Sequence, residues 1–422
     1  MAELISLAAM IGIDWADQYH DISLQKSGAP TVEHRRLPHT PEAIVEWMVE
    51  LRGRFQGRPV GIAVETSRGP LIHALLEHEC VVLYPINPRS LRRFRETFTP
   101  SGAKDDLPDA DLLREMLVKH RDRLRPWVPD DVETRTLRRL VEGRRKAVDL
   151  RTKLTQQLTA ALKEYFPQAL AWAGDDLASG LACDFLLTWP TLEAVQRVRP
   201  NTIRKFYTAH NCRRPALIEQ RIQEIQRATP LTRDPAIVQT SALLVQMLAQ
   251  QLQTLAPAIK RFAAEIAQRF AAHADADLFE ALPGSGAALA PRLLVIFGSD
   301  RTRFQSAADV QRLSGIAPVT QRSGQRSYVH WRWAAPTFVR QTLHEFAHHS
   351  IRYSAWARAY YALQRARGKG HHAAVRALAF KWIRIIWRCW QERTPYDEAR
   401  YTRALIQRGS PLAAQLAAAV QA

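Results

Sequence analysis

Residues 4–13, LISLAAMIGI, run into Asp14, and residues 60–64, VGIAV, run into Glu65. Both are short apolar runs that read as buried strands, and both end in a carboxylate. Between them lie two further strand-like runs, at 22–25 and 32–37, joined by a polar turn at 26–30. Residues 41–54 carry helical periodicity with a proline at the start. Beyond Glu65, residues 69–79 read as helix, 81–86 as strand and 89–97 as helix. The order β-β-β-α-β-α-β-α predicts a mixed sheet flanked by helices, with acidic residues at strand ends, where α/β proteins place their sites.

The whole chain has 422 residues, enough for two or three domains at about 150 residues each. With 46% hydrophobic and 24% charged residues it is globular in composition, which excludes a largely disordered chain. Lys and Arg number 59 against 41 Asp and Glu, a net charge of +18 that attracts polyanions, so nucleic acid is the first partner to consider. Residues 317–422 hold 17 of the basic residues and only 4 acidic ones. They also hold six of the eleven tryptophans: Trp331, Trp333, Trp356, Trp382, Trp387 and Trp390. Basic side chains interleaved with aromatics suit phosphate neutralisation and base stacking. Trp382, Trp387 and Trp390 fall near one helix face and read instead as core. Four cysteines without a CxxC pair argue against a disulfide scaffold or zinc ribbon. No apolar run approaches a membrane span of roughly 18 residues, and the start is no signal peptide, so the expected location is cytoplasmic, without a membrane partner.

Further along, Leu137, Leu140, Val141, Val148, Leu154, Leu158 and Leu162 keep helical spacing and predict one long amphipathic helix over 130–166. A second such segment, 236–274, could pair with it as a coiled coil. Residues 170–235 mix short helical runs with Pro190, Pro200 and Pro230. The expected organisation is an α/β domain at 1–125, a helical coiled-coil and oligomerisation region at 126–275, and a mostly helical domain at 276–422.

The acidic residues carry the chemistry. In AKDDLPDAD, Pro108 suits the first helical position, which puts Asp106 at the cap and Asp109 in the first turn, three apart on one face. Asp14, Glu65, Asp106 and Asp109 would then converge from two strand ends and a helix start, as two Mg²⁺ ions require of hard oxygen ligands. Singly, each has a plain explanation as cap, turn or helix-dipole residue; together with the strand order they predict a metal site. In LPGSGAALAPRLL, Gly284 and Gly286 bracket a tight turn that would offer backbone N–H groups to a phosphate, like the start of a helix-hairpin-helix. Arg322, Arg326, Arg332 and Arg340 flank a glycine-containing loop and read as phosphate contacts.

IGIDWAD, AVETS and AKDDLPDAD together resemble the DEDD, RuvC-like nuclease domain of the "one-ten" family of insertion-sequence transposases, relatives of the pilin-gene invertase. Lys104, Asp106, Asp109 and Ala110 match the third motif, with Asp105 in place of its threonine. The long helix with Arg144, Arg145 and Lys153, ending in Tyr-Phe-Pro at 165–167, is similar too. In the second conserved domain, Gly315 and Pro318 match and Ser323 takes the place of the family's nucleophile. Ala335-Pro336 stands where the family has Gly-Asn. The resemblance implies an RNase H/RuvC-like fold and a DNA recombinase that excises and inserts a mobile element. It implies a covalent phosphoserine–DNA intermediate, Mg²⁺ at the four carboxylates, and double-stranded DNA as both donor and target. It further implies a bridge RNA as guide, and a homo-oligomer in which dimers assemble to a tetramer. The setting it implies is the bacterial nucleoid.

Three other readings stay open on the residues. One is a RuvC-like, structure-specific nuclease that uses water in place of Ser323, and another is a nucleic-acid-binding protein without catalysis. The third is a zinc peptidase built on His344-Glu345-x-x-His348, a literal HExxH, though no third histidine follows at the spacing of extended zinc motifs and a strongly basic segment suits a peptidase poorly. Ser285 and Ser314 are rival serines that read as turn or packing positions.

Overall fold

The computed structural model describes residues 5–65, 69–98, 109–324, 326–330, 332, 334–412 and 416. The chain divides into two compact units, Met1–Pro129 and Asp130–Ala422.

The first unit is a five-stranded sheet with helices. Its elements run β1 Ala9–Asp14, β2 Tyr19–Lys26, β3 Val32–Pro38, α1 Pro41–Arg54, β4 Val60–Val64, α2 Pro70–Leu75, β5 Val81–Pro85, α3 Pro88–Phe98 and α4 Asp109–His120. Through α3 this is the predicted order, and α4 is the helix expected after Pro108. The strands lie β3-β2-β1-β4-β5, with β1 antiparallel to β2 and parallel to β4, and β4 parallel to β5. Strand β4 is apolar throughout because both of its faces are covered: every one of its residues is buried. Strand β1 starts at Ala9 and not at residue 4, since pairing with β2 and β4 begins only at Ala9↔Lys26 and Ala9↔Val60. Helix α2 ends at Leu75, where the chain turns back through 76–80 to reach β5.

One glycine sets the height of a helix over the sheet. A Cβ on Gly12, in the middle of β1, would lie 1.9 Å from the Ala110 carbonyl oxygen and 2.5 Å from the Arg114 nitrogen. Backbone meets backbone there, so α4 lies directly on β1 and its first turn comes level with the strand's end.

In the second unit two long helices dominate, α5 Val132–Tyr165 and α11 Pro235–Ala271, close to the predicted 130–166 and 236–274. They pair with each other antiparallel. Leu137 and Val141 at the start of α5 share a core with Ile266 and Phe270 at the end of α11. Leu158 and Leu162 share another with Val245 and Leu248. That second core also packs the short helices α6 Ala169–Trp172, α7 Gly180–Thr188, α8 Leu192–Gln196, α9 Pro200–Ala209 and α10 Pro215–Arg227. The first core takes in the rest: α12 Ala276–Glu280, α13 Gly286–Phe297, α14 Ala307–Leu313, α15 Thr337–Tyr353, α16 Ala355–Ala366, α17 His371–Glu392 and α18 Glu398–Gln407. Trp356, Trp382 and Trp390 are wholly buried in it and Trp387 partly, so the tryptophans on α17 are core as expected. Trp331 and Trp333 lie outside the described residues.

One element is new. Residues 319–330, read from sequence as a loop, form an antiparallel hairpin of β6 Val319–Ser323 and β7 Arg326–His330. The Ser-Gly step between two runs rich in Thr, Tyr and Val was the available signal. Among the described residues no helix is long and apolar enough to cross a membrane.

Candidate active site

Parallel register places the first two carboxylates. Ile13 pairs with Val64, so Asp14 and Glu65 are the next residues on adjacent strands. The close seat of α4 on Gly12 adds Asp109 at that helix's first position. These three interact. Asp14 is pushed up to about 6, by burial first and then by the negative charges of Asp109, Glu65 and Asp21, against which Arg95 works. Glu65 is raised by burial and by Asp109, again opposed by Arg95. Asp106 and Lys104 lie outside the described residues.

Arg95, on α3, is the member that sequence reasoning missed. Its guanidinium ion-pairs with Asp109 and lowers the cost of charging both other acids. Nothing in its sequence context marks it, because α3 is rich in arginine: Arg89, Arg92 and Arg93 precede it. Asp111 goes elsewhere. It is buried, accepts from the Ser23 hydroxyl at 2.5 Å and meets the His34 ring at 3.0 Å. Although burial pushes its carboxyl up, those bonds and Arg114 outweigh it, and the net direction is down. Asp111 therefore ties α4 to β2 and β3.

The donor chemistry of Asp14, Glu65 and Asp109 is that of a hard divalent cation. All are carboxylates, and among the described residues Arg95 offsets their mutually repelling charges. The arrangement is not a closed cage: among the described residues no group of three or more His, Cys, Asp or Glu side chains stands close enough to hold a metal ion.

The serine sits in a different setting. Ser323 ends β6, pairs with Arg326 across the hairpin turn and is exposed, with Arg322 exposed beside it. Gly324 turns the chain in the left-handed region at φ +57°, which a side chain would strain. The hairpin's base is held firmly. Gly315, at φ +69°, lets Ala335 and the Arg332 carbonyl come so near that a Cβ would meet them at 2.6 and 3.2 Å. Arg340 donates to the carbonyls of Arg332 at 3.0 Å and Ala335 at 3.3 Å. Its guanidinium thus fastens the segment after the hairpin to α15, and at the helix entry Ala335 packs against Gly315 while Pro336 is exposed. Ser285 and Ser314 are buried and donate to backbone carbonyls, as their turn and packing reading anticipates.

Among the remaining basic candidates, Lys153 is exposed, while Arg144 and Arg145 are half-buried on α5. Gly284 earns its place by packing: at φ +80° its Cβ would strike Tyr353 at 2.8 Å and the His349 backbone at 3.2 Å. Gly286, at φ +52°, opens onto free space. On α15 the Glu345 carboxylate accepts from Arg145 at 3.1 Å and from Arg292 at 2.6 Å, so it is engaged with guanidinium groups and not poised as a base. His344 lies beside His372 and His348 beside His371, with ring centroids 5.5 and 5.3 Å apart.

Comparison with known proteins agrees with this layout. The chain is 27% identical to the protein of the IS117 mini-circle of Streptomyces coelicolor, over 95% of this chain and 98% of that protein. It is 26% identical to the 42 kDa protein of insertion element IS900 of Mycobacterium paratuberculosis, over 93% and 98%. To the 43.6 kDa protein of insertion element IS110 of Streptomyces coelicolor it is 24% identical, over 94% and 97%. Residues 11–167, which carry the carboxylates, match the transposase family of the DEDD, IS110 type, and residues 276–362, which carry the serine hairpin, match the transposases of the IS116/IS110/IS902 family. Together the two matches span more than half of the chain, which belongs to that family and is a transposase, an enzyme of DNA recombination.

Proposed function

We propose that this transposase excises and inserts its element by strand cleavage and exchange through a phosphoserine–DNA ester, with Ser323 as nucleophile and Mg²⁺ at Asp14, Glu65, Asp106 and Asp109. The observation that carries the metal half is the mutual repulsion of Asp14, Glu65 and Asp109 at one end of the sheet. Mg²⁺ bound there would supply Lewis-acid polarisation of a phosphoryl oxygen. The serine half rests on the exposed, turn-held position of Ser323 between two arginines.

Ser323 Oγ attacks phosphorus and one ester bond to a deoxyribose oxygen breaks. The serine's proton ends on the sugar hydroxyl that leaves. Attack by that hydroxyl, or by one from a second duplex, reverses the step and frees the serine, so the ester keeps the bond energy that religation needs. Arg322 and Arg326 offset the charge on the transferring phosphate. Lys104, Arg144, Arg145, Lys153, Gly284, Gly286, Arg332 and Arg340 complete the proposed nucleic-acid contacts, Arg340 by holding the hairpin's base. In this reading residues 1–125, 126–275 and 276–422 act as nuclease, oligomerisation and serine-bearing parts. The exposed Leu243, Leu244 and Met247 on α11 support an assembly of dimers into a tetramer. A bridge RNA as guide is supported by the basic excess of the last quarter of the chain.

The test is a denaturing gel of the full chain incubated with Mg²⁺ and a duplex spanning the element's end, together with sequencing of co-purified RNA. A DNA-linked protein band that Ser323→Ala and Asp14→Asn both abolish is the expected result. Cleavage that persists in Ser323→Ala would move the reading to a nuclease that uses water. Failure to enrich any RNA from the flanks would remove the guide.

A further inference from the structure

A cavity of about 120 Å³ lies among α5, α11 and α13, lined by Arg144, Arg145, Arg292, Ile266, Ala287 and Ala288. That is several times the roughly 30 Å³ share of a liquid water. Three arginines facing one small space need anions, and among the described residues the acids bonded to them are two. Glu345 is shared by Arg145 and Arg292, and Asp149 pairs with Arg145 at 2.9 Å.

Arg292 is only 6% exposed. Its Nε donates to the Thr342 hydroxyl at 3.0 Å and its Nη1 to Glu345 at 2.6 Å, and the guanidinium faces the Phe338 ring at 5.5 Å, while Nη2 is buried without a hydrogen-bond partner among the described residues. The Arg145 Nε is buried without one as well. Leaving guanidinium N–H groups buried and unmatched is costly, so such groups point to a missing acceptor. One turn before Arg292, α13 begins with exposed Gly286, Ala287 and Ala288. Ser285 at the cap makes no side-chain capping bond to them, and its hydroxyl donates to the Leu282 carbonyl at 2.8 Å. A helix start with uncapped N–H groups and a positive dipole end thus borders the same space as the unmatched arginine.

We propose that this cavity is an anion site that takes one phosphate group, held by Arg144 and Arg292 and by the first N–H groups of α13. Arg292 sits at the back, oriented by Glu345 and Thr342, and Arg144 stands at the side. Planar guanidinium forks and helix-start amides are the donors that match a tetrahedral oxyanion. The phosphate comes either from a nucleic-acid backbone or from a free phosphate; the first source rests on the transposition reading above, and the anion site itself does not.

Inorganic phosphate titrated into the full chain by calorimetry is the direct test. The expected result is saturable binding that Arg144→Gln weakens by about tenfold, the scale of a lost charge-assisted hydrogen bond. Arg292→Lys, which keeps a charge beside Glu345, should weaken it too, and Lys146→Gln, on the exposed side of α5, should not. A parallel measurement of duplex DNA binding against salt separates the sources. A slope that falls by about one in Arg144→Gln assigns the site to a backbone phosphate, whereas phosphate binding with an unchanged slope assigns it to a free anion. No phosphate saturation and an unchanged slope, in a chain that still forms its serine–DNA adduct, would overturn the site and leave the transposition reading standing. Phosphate binding in a chain that never forms the adduct would do the reverse.

Discussion

The carboxylates and the serine are built on opposite principles. Asp14, Glu65 and Asp109 are partly buried, brought together by strand register and a backbone-to-backbone helix contact, and burial first, then mutual repulsion, shifts two of them upward. Ser323 stands exposed at the tip of a two-stranded hairpin whose base alone is packed. A site whose groups repel one another has to be forced into place by its scaffold. A weak nucleophile that other groups must activate is better carried on an element that reaches outward. On the proposed reading, the difference teaches that the metal half is held by its scaffold, whereas the nucleophile is carried outward on an exposed turn.

That contrast is most sharply broken at Gly12. Gly12→Ala places a methyl against the Ala110 carbonyl, and neither backbone yields cheaply. It should destabilise the first unit by about 3 kcal/mol or more and displace Asp109, seen as an early thermal transition with the second unit's transition unmoved. Equal loss in both transitions would refute the independent role of this contact. Ser323→Ala should do the opposite, removing the DNA adduct while stability stays within about 0.5 kcal/mol of the parent. A marked drop in melting temperature would mean that the hairpin tip is structural.

Asp14→Asn should raise the first unit's stability near neutral pH by about 1 kcal/mol once solvent screening is discounted, because it removes a charge that the fold disfavours. The sign follows from the direction of the shift. Asp14 binds its proton more tightly when folded, so its contribution to stability is greatest below the ordinary value of 3.8 and is lost as pH rises to about 6. His20 runs the other way: burial, aided by His39, lowers it to about 4, so its contribution is present above 6.5 and lost as pH falls towards 4. The proton on Asp14 also competes with Mg²⁺. Apparent Mg²⁺ affinity, followed by calorimetry, should fall as pH drops through about 6, and a flat profile would count against Asp14 as a ligand. The smallest effect belongs to Arg340→Gln. Losing its bonds to the Arg332 and Ala335 carbonyls should cost about 1–2 kcal/mol, with local hydrogen exchange rising in 332–336 and adduct formation slowed but not lost.

How far the chain could be read in advance differed between these regions for a physical reason. The βββαβαβα order and the two long helices were legible because apolar periodicity over many residues reports burial directly. Asp14 and Glu65 were legible because each closes an apolar strand. Arg95 was not, since one arginine among several on α3 is distinguished only by the acid it meets. The hairpin at 319–330 was not either: its strands are short and largely exposed, so no alternation of burial marked them. Arg340 was read as a phosphate contact because its charge is visible in sequence, and its carbonyl partners are not.

By itself, then, the sequence determined the class of fold, the basic character of the chain, and the residue types available for phosphate chemistry. Those are properties of composition and local spacing. Tertiary structure decided which acids lie close enough to repel one another, that Asp111 bonds Ser23 and His34, that Gly12 and Gly315 are contact points, and that Arg292 is buried with an unmatched nitrogen beside a helix start. These depend on distances between residues far apart in the chain, which only packing sets.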